Sequence, residues 1–246
     1  AARAHADELG VSFHVRSQCM KPSAFRQAMM EASRLIAQAG VTVDIVDVGG
    51  GFPSIYPGLE PPALEEYVHA IEGAFEEMMV LENADLWCEP GRALIAEAAS
   101  ILTRVELVKG DQVHLNDGSY GSLFDMVHAR WPFPMRVHRP DGATCAETAP
   151  FKLYGPTCDS IDSMPGPYHL PADLREGDVI EIGMLGAYGT AMASRFNGFG
   201  DVETVQVADF PWASLYDGAR AAEPAQTGAV LPFARRKTRK KLLKRR

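Results

Sequence analysis

The hydrophobic pattern changes period part-way along the chain. Residues 11–15 (Val-Ser-Phe-His-Val) are β-branched or aromatic enough for a buried strand. Ser23 is placed to cap a helix whose apolar positions Phe25, Met29, Leu35 and Ile36 fall near a 3.6 period, ended by Gly40. Residues 43–48 are almost continuously apolar, as parallel strands covered on both faces tend to be, and run into Gly49-Gly50-Gly51. A second helix is predicted from about 62 to 81, with Leu64, Tyr67, Val68, Ile71, Phe75 and Met78 on one side. A third strand over 85–88 is closed by Glu89-Pro90-Gly91-Arg92. The first ten residues read as the last turns of a helix ending at Gly10.

After about residue 99 the period shortens to two. Strands are predicted over 101–108, 112–115, 135–138 and 178–182, separated by Gly, Pro and Asp turns, with a short helix over 187–194. The fold class expected is therefore α/β followed by all-β. Strand, helix, strand, helix, strand with polar residues at each strand end is the arithmetic of a (β/α) barrel. Three strands do not close one, so the first part is either a piece of a barrel or a small open sheet. The expected division is 1–98, 99–218 and a basic tail over 219–246.

Composition narrows the function classes. The chain has 246 residues, 46% hydrophobic and 23% charged, as in ordinary globular proteins. No apolar run approaches the ~18 residues of a membrane span, so no membrane partner is expected. Cys19, Cys88, Cys145 and Cys158 form no CxxC pair and no metal-like spacing, and read as reduced thiols in the cytoplasm. The net charge of -8 hides nine Lys or Arg and no acid in residues 235–246; the remaining fifteen bases face 32 acids, a balance of -17. An acidic body argues against nucleic acid, which is expected at most through the basic tail. The start without Met, in what reads as the end of a helix, leads to the expectation that an N-terminal portion is missing.

Several strand ends and turns carry candidate chemistry, each beside a plainer reading. The triglycine is either a flexible turn or a row of backbone amides open to a phosphate. Arg92 is either a surface salt bridge or a bidentate partner for the same anion. Glu89 is a solvated loop residue or a carboxylate that keeps a heterocyclic nitrogen protonated. His14 either sits in the core or stacks on a flat ring, and Ser17 donates to phosphate or caps a turn. Turns over 116–122, 184–189 and 196–199 display Tyr120, Tyr188 and Phe196. Finally, Gly155-Pro156-Thr157-Cys158-Asp159 puts a thiol and a carboxylate side by side on a tight loop, where a lone cysteine is otherwise most often a small buried hydrophobe.

Taken in order, Phe13-His14-Val15-x-Ser17-Gln18, Asp47-Val48-Gly49-Gly50-Gly51-Phe52-Pro53, Cys88-Glu89-Pro90-Gly91-Arg92, Asn116-Asp117-Gly118-x-Tyr120-Gly121-Ser122, Gly155-Pro156-Thr157-Cys158-Asp159, Gly186-Ala187-Tyr188 and Phe196-Asn197-Gly198-Phe199 resemble the ornithine/lysine/diaminopimelate decarboxylase family. These are pyridoxal-phosphate (PLP) enzymes on an alanine-racemase-like barrel, and the likeness covers about residues 12–216. It implies the C-terminal part of a (β/α)8 barrel followed by a β domain. It implies that His14 stacks on the cofactor ring and Glu89 pairs with its nitrogen. Ser17, Gly49, Gly50, Gly51, Gly91, Arg92 and Tyr188 would hold the phosphate. Cys158 would be the proton donor and Asp159 the acceptor for the substrate's distal ammonium. Tyr120 and Phe196 would line the site from the partner subunit, from which Cys158 and Asp159 would also come, in a head-to-tail homodimer.

Asp rather than Glu after Cys158 implies ornithine, with lysine next, and putrescine as product. Diaminopimelate decarboxylase and a non-catalytic, antizyme-inhibitor-like regulator are the alternatives. The sequence departs from the family in three places. Nothing before Ser12 matches the lysine that anchors the cofactor covalently, so the chain alone is expected to be inactive. Arg16 stands where the family has Gly. A second acidic substrate contact has no counterpart in His128-Ala129-Arg130.

Overall fold

The structure, a computed structural model, describes residues 2–208 other than 79, 81–83 and 130; the basic tail lies outside the described residues. Three short strands, β1 (Gly10–Ser12), β2 (Ile45–Asp47) and β3 (Asp85–Trp87), form a parallel sheet in that order. Val11 lies opposite Val46 and Val46 opposite Leu86. The crossovers are helices α1 (Pro22–Ala39) and α2 (Leu64–Glu77). Their buried stripes, Phe25, Met29 and Ile36 on one and Tyr67, Ile71 and Ala74 on the other, close over Val46, Val48 and Phe52 as one core.

Local chemistry corrects three expectations here. Helix α1 starts at Pro22, whose missing N–H is one that a first helical turn leaves unpaired anyway, so Ser23 lies inside the helix and caps nothing. Leu35 falls off the apolar stripe and is exposed. The first residues form only a 3-10 turn, Ala2–His5, and Gly10 begins β1 instead of ending a helix. Asp44 explains that course: it accepts the Leu9 N–H at 2.8 Å and pairs with Arg3, tying the incoming chain to the start of β2.

A one-turn helix α3 (Arg92–Ile95) leads into a six-stranded sheet. Its strands are β4 (Ile101–Lys109), β5 (Gln112–Leu115), β6 (Met135–His138), β7 (Thr148–Tyr154), β8 (Ser163–Pro171) and β9 (Val179–Ile182), in spatial order β6-β9-β4-β5-β7-β8. Pairing is antiparallel except between β5 and β7. The β-rich part expected after residue 99 is present, joined by two short helices, α4 (Phe124–His128) and α5 (Gly189–Met192). Strands β7 and β8 were not anticipated. Pro165, Gly166, Pro167 and Pro171 break the alternation of β8, and an edge strand is where a sheet tolerates residues with no N–H to give. No described helix is long and apolar enough to cross a membrane.

The two parts meet around Arg92. Its Nη1 donates to Asp125 Oδ2 at 2.5 Å and to Tyr56 Oη at 2.7 Å, and Nη2 donates to Asp125 Oδ1 at 2.9 Å. Both charged side chains are buried, 7% and 8% exposed. The guanidinium carbon lies 4.8 Å from the Tyr188 ring centre, 5.1 Å from that of Trp131 and 5.8 Å from that of Tyr56. Burial works against the charge, but the Asp125 and Tyr56 contacts outweigh it and hold Arg92 above its ordinary pKa. Tyr56, on the loop after β2, belongs to the core of the β-rich part, packed on Trp131 and Phe133 at 5.5 and 5.3 Å. Asp125→Ala leaves this guanidinium buried without its carboxylate. Denaturant unfolding should show a loss of about 3–5 kcal/mol; an unchanged midpoint would show that the pair does not hold the two parts together.

Candidate active site

The C-terminal ends of β1, β2 and β3 converge, and the triglycine is what lets them. A Cβ on Gly49 would lie 2.0 Å from the Phe13 carbonyl oxygen, and one on Gly51 would lie 2.2 Å from that of Arg16. At Gly50 it would stand 2.9 Å from the Glu89 carbonyl oxygen and 3.7 Å from the His14 ring. Gly49 and Gly51 also have positive φ, 68° and 97°. The backbone is stitched to match: Phe13 N–H donates to Asp47 O, Val48 N–H to Trp87 O and Glu89 N–H to Gly49 O. The Gly49 N–H is given to Asp47 Oδ1 at 2.9 Å, so an anion resting here would meet the Gly50 and Gly51 amides. His14, Ser17 and Glu89 are exposed around this loop, and Arg16 is exposed as well. Cys88, which directly follows β3 at an edge of the sheet among the described residues, is exposed.

Arg92 stands three residues beyond Glu89, and its first partner is Asp125. Asp125 and Tyr56 together take three of the five N–H groups a guanidinium carries. Tyr188, at the N-terminal end of α5, lies against the same guanidinium and is itself partly exposed. Gly91 precedes α3, and a Cβ there would meet nothing within 4 Å, so packing does not require the glycine.

A second group of candidates gathers on two turns of the β-rich part. Tyr120 donates its hydroxyl to Asp159 Oδ2 at 2.7 Å, while the Ile161 N–H donates to Asp159 Oδ1 at 3.1 Å. The Ile161 N–H, and after it the Tyr120 hydroxyl, hold the Asp159 carboxyl below its ordinary pKa. The same bond pushes the Tyr120 phenol up. The Tyr120 ring stacks on Phe196 with centres 4.4 Å apart. Ser194 donates through both N and Oγ to the Tyr120 carbonyl, at 2.8 and 2.9 Å, which ties the Phe196 turn to the Tyr120 turn. Cys158 is exposed and accepts a hydrogen bond from Asn197 Nδ2 at 3.6 Å.

The expected residues thus fall into two groups: His14, Ser17, the triglycine, Glu89, Gly91, Arg92 and Tyr188 in one, Tyr120, Cys158, Asp159 and Phe196 in the other. Among the described residues, no hydrogen bond, ion pair or ring contact joins the two. Tyr56, Asp125 and Asn197 had not been singled out. Asn197 gives a backbone signal, φ of 55°, that sequence alone cannot show.

Residues 1–96 match the family described as pyridoxal-dependent decarboxylase, pyridoxal binding domain. The chain belongs to the pyridoxal-dependent decarboxylases. An ornithine decarboxylase of Panagrellus redivivus is 32% identical over 89% of this chain and 54% of its own. Antizyme inhibitor 2 of Xenopus laevis is 34% identical over 78% of this chain and 46% of its own. A Vibrio vulnificus lysine/ornithine decarboxylase solved with cadaverine superposes with a TM-score of 0.64 at 29% identity, covering 81% of this chain and 55% of that one. The chain therefore spans about half the length of the curated relatives it matches.

PLP is this family's cofactor, and the residues present fit it. The missing Cβ of Gly50 leaves the His14 ring, the Glu89 loop and the glycine backbone bordering one space. Arg92 fits with the two N–H groups that Asp125 and Tyr56 do not take, beside the Tyr188 ring. The Asp159 titration isolates one contact of the second group. Tyr120→Phe removes a donor to the carboxylate, so the Asp159 carboxyl pKa should rise toward the ordinary value in a carbon-13 NMR titration. A midpoint that does not move would show that Tyr120 does not hold Asp159 in its ionised form.

Proposed function

We propose that the whole protein decarboxylates a basic L-amino acid with PLP as cofactor, ornithine before lysine, giving putrescine from ornithine. The observation that carries this reading is the Asp159 carboxylate beside Cys158, kept ionised and aimed by Ile161 N–H and Tyr120 Oη. A fixed carboxylate next to an exposed thiol suits a substrate with a distal ammonium at one end and a reacting carbon at the other. The three-stranded parallel sheet is read as an arc of a (β/α)8 barrel, with the covalent anchor of the cofactor outside the described strands.

Each residue then has a definite task. Bound pyridoxal phosphate supplies an electron sink for the charge left when the substrate's carboxyl group departs as CO2. Glu89 would pair with the ring nitrogen and favour its protonated form. His14 would stack on the ring and hold it in place. The Gly50 and Gly51 amides, Ser17, the free edge of Arg92 and the Tyr188 hydroxyl would hold the phosphate, with Gly49 and Gly91 shaping the loops. Cys158 delivers its S–H proton to the carbon that lost CO2. Asp159 holds the distal ammonium, and Tyr120 and Phe196 wall the substrate chain.

Because the described contacts leave the two groups separate, we read the working site as shared by a head-to-tail homodimer, Cys158 and Asp159 of one copy facing Glu89 and Arg92 of the other. All four cysteines are unpaired, which suits a reducing compartment such as the cytoplasm. The full-length protein with PLP is expected to release CO2 from L-ornithine. Cys158→Ala should cut kcat by at least about 10²-fold, the scale of a lost general acid. Asp159→Asn should raise KM. Release from diaminopimelate alone would move the substrate assignment. No release from ornithine, lysine, arginine or diaminopimelate would favour the regulatory reading that the antizyme inhibitor likeness supports.

A further inference from the structure

Asp162 takes no part in the chemistry above, yet it is the most fully engaged carboxylate near the site. It is 2% exposed. Its Oδ1 accepts the Ser119 N–H at 2.7 Å and the Ser119 hydroxyl at 2.8 Å. Its Oδ2 accepts the Thr157 N–H at 3.0 Å and the Thr157 hydroxyl at 2.7 Å. Two glycines are kept bare for it: a Cβ on Gly118 or on Gly155 would lie 2.2 Å from the carboxylate oxygens. Its own backbone closes the turn, with Gly155 N–H donating to Asp162 O and Asp162 N–H to Asp159 O.

The sequence positions of these donors matter. Ser119 directly precedes Tyr120, and Thr157 directly precedes Cys158. One oxygen therefore grips each turn. The turns are joined a second time at their tips, where Tyr120 donates to Asp159. Burying a carboxylate among neutral donors is expensive compared with an apolar side chain, which could fill the space but could not hold four donors at once. What it does achieve is a fixed relation between two loops that share no strand pairing at this point.

We propose that Asp162 is a positioning residue, which sets the turn carrying Cys158 and Asp159 against the turn carrying Tyr120. Its two oxygens act on different steps. The Ser119 side governs Tyr120 and, through it, the Asp159 carboxylate that meets the distal ammonium. The Thr157 side governs the sulfur of Cys158. This division rests on the decarboxylase reading, but the tethering itself does not.

The test uses Ser119→Ala, Thr157→Val, Thr157→Ser and Asp162→Asn in the full-length protein. Loss of a hydrogen bond to a charged group is on the scale of about ten-fold. Ser119→Ala should raise KM for the amino-acid substrate by about that factor with little change in kcat. Thr157→Val should lower kcat by a similar factor with little change in KM, and Thr157→Ser, which keeps the hydroxyl, should restore it. Asp162→Asn should show both effects, because an amide cannot accept from both turns.

Independently of turnover, iodoacetamide alkylation of Cys158 is read by peptide mass, with exposed Cys88 and Cys145 as internal references. It should quicken several-fold in Thr157→Val and Asp162→Asn while the references stay unchanged. If the wild type decarboxylates nothing but the alkylation rates move as stated, the positioning role stands and the decarboxylase reading falls. The positioning role is overturned if alkylation of Cys158 is unchanged in Asp162→Asn, or if Thr157→Ser is as impaired as Thr157→Val.

Discussion

The buried Arg92–Asp125 ion pair is the contact on which the join between the parallel sheet and the β-rich part depends. Arg92 follows the last parallel strand, Asp125 lies on a one-turn helix of the β-rich part, and their bidentate contact is enclosed by Tyr56, Trp131 and Tyr188. A guanidinium suits this role, because its fork matches a carboxylate on one edge while its faces pack on aromatic rings. Lysine would supply the charge without the plane. Arg92 thus serves two ends at once. It joins the parallel sheet to the β-rich part, and Asp125 and Tyr56 leave two of its N–H groups untaken for the phosphate role proposed above.

Close packing does the complementary work at the strand ends. The glycines there are required by carbonyl oxygens of the segments that follow β1 and β3, which come within 2.0 to 2.9 Å of where side chains would be. The open backbone that an anion could use is therefore a consequence of how tightly β1, β2 and β3 converge. The second group of residues is held differently, by hydrogen bonds between turns. Asp162 binds those turns at their base, Tyr120 and Asp159 bind them at their tips, and Ser194 adds the Phe196 turn.

Much of this was legible in the sequence, and the limits have physical causes. The near-continuous apolar run ending in three glycines announced a buried parallel strand, and the stripe of α2 was readable from Leu64 to Met78 except for Val68, which is exposed, even though the helix ends at Glu77. Strand β8 was not legible, because its prolines and glycine carry the signature of a loop and only its edge position makes them acceptable. Each expected member of the two groups was named, but not what holds it. Asp125 is a lone acid 33 positions from Arg92, and Asp162 reaches Ser119 across 43. No periodicity marks such pairs. The one trace they leave is glycine at 118 and 155, which only the folded carboxylate explains.

The central claim is that the two groups are halves of one catalytic site contributed by different copies of the chain. Mixing two inactive full-length variants, Glu89→Ala and Cys158→Ala, tests it most directly. If the halves meet across a dimer, hybrids contain one site with both native groups, and CO2 release from ornithine should reappear on mixing, in proportion to the hybrid formed. If both variants are inactive alone and no activity returns although mass measurement shows that hybrids have formed, the two groups do not act as one site across copies, and the account is contradicted.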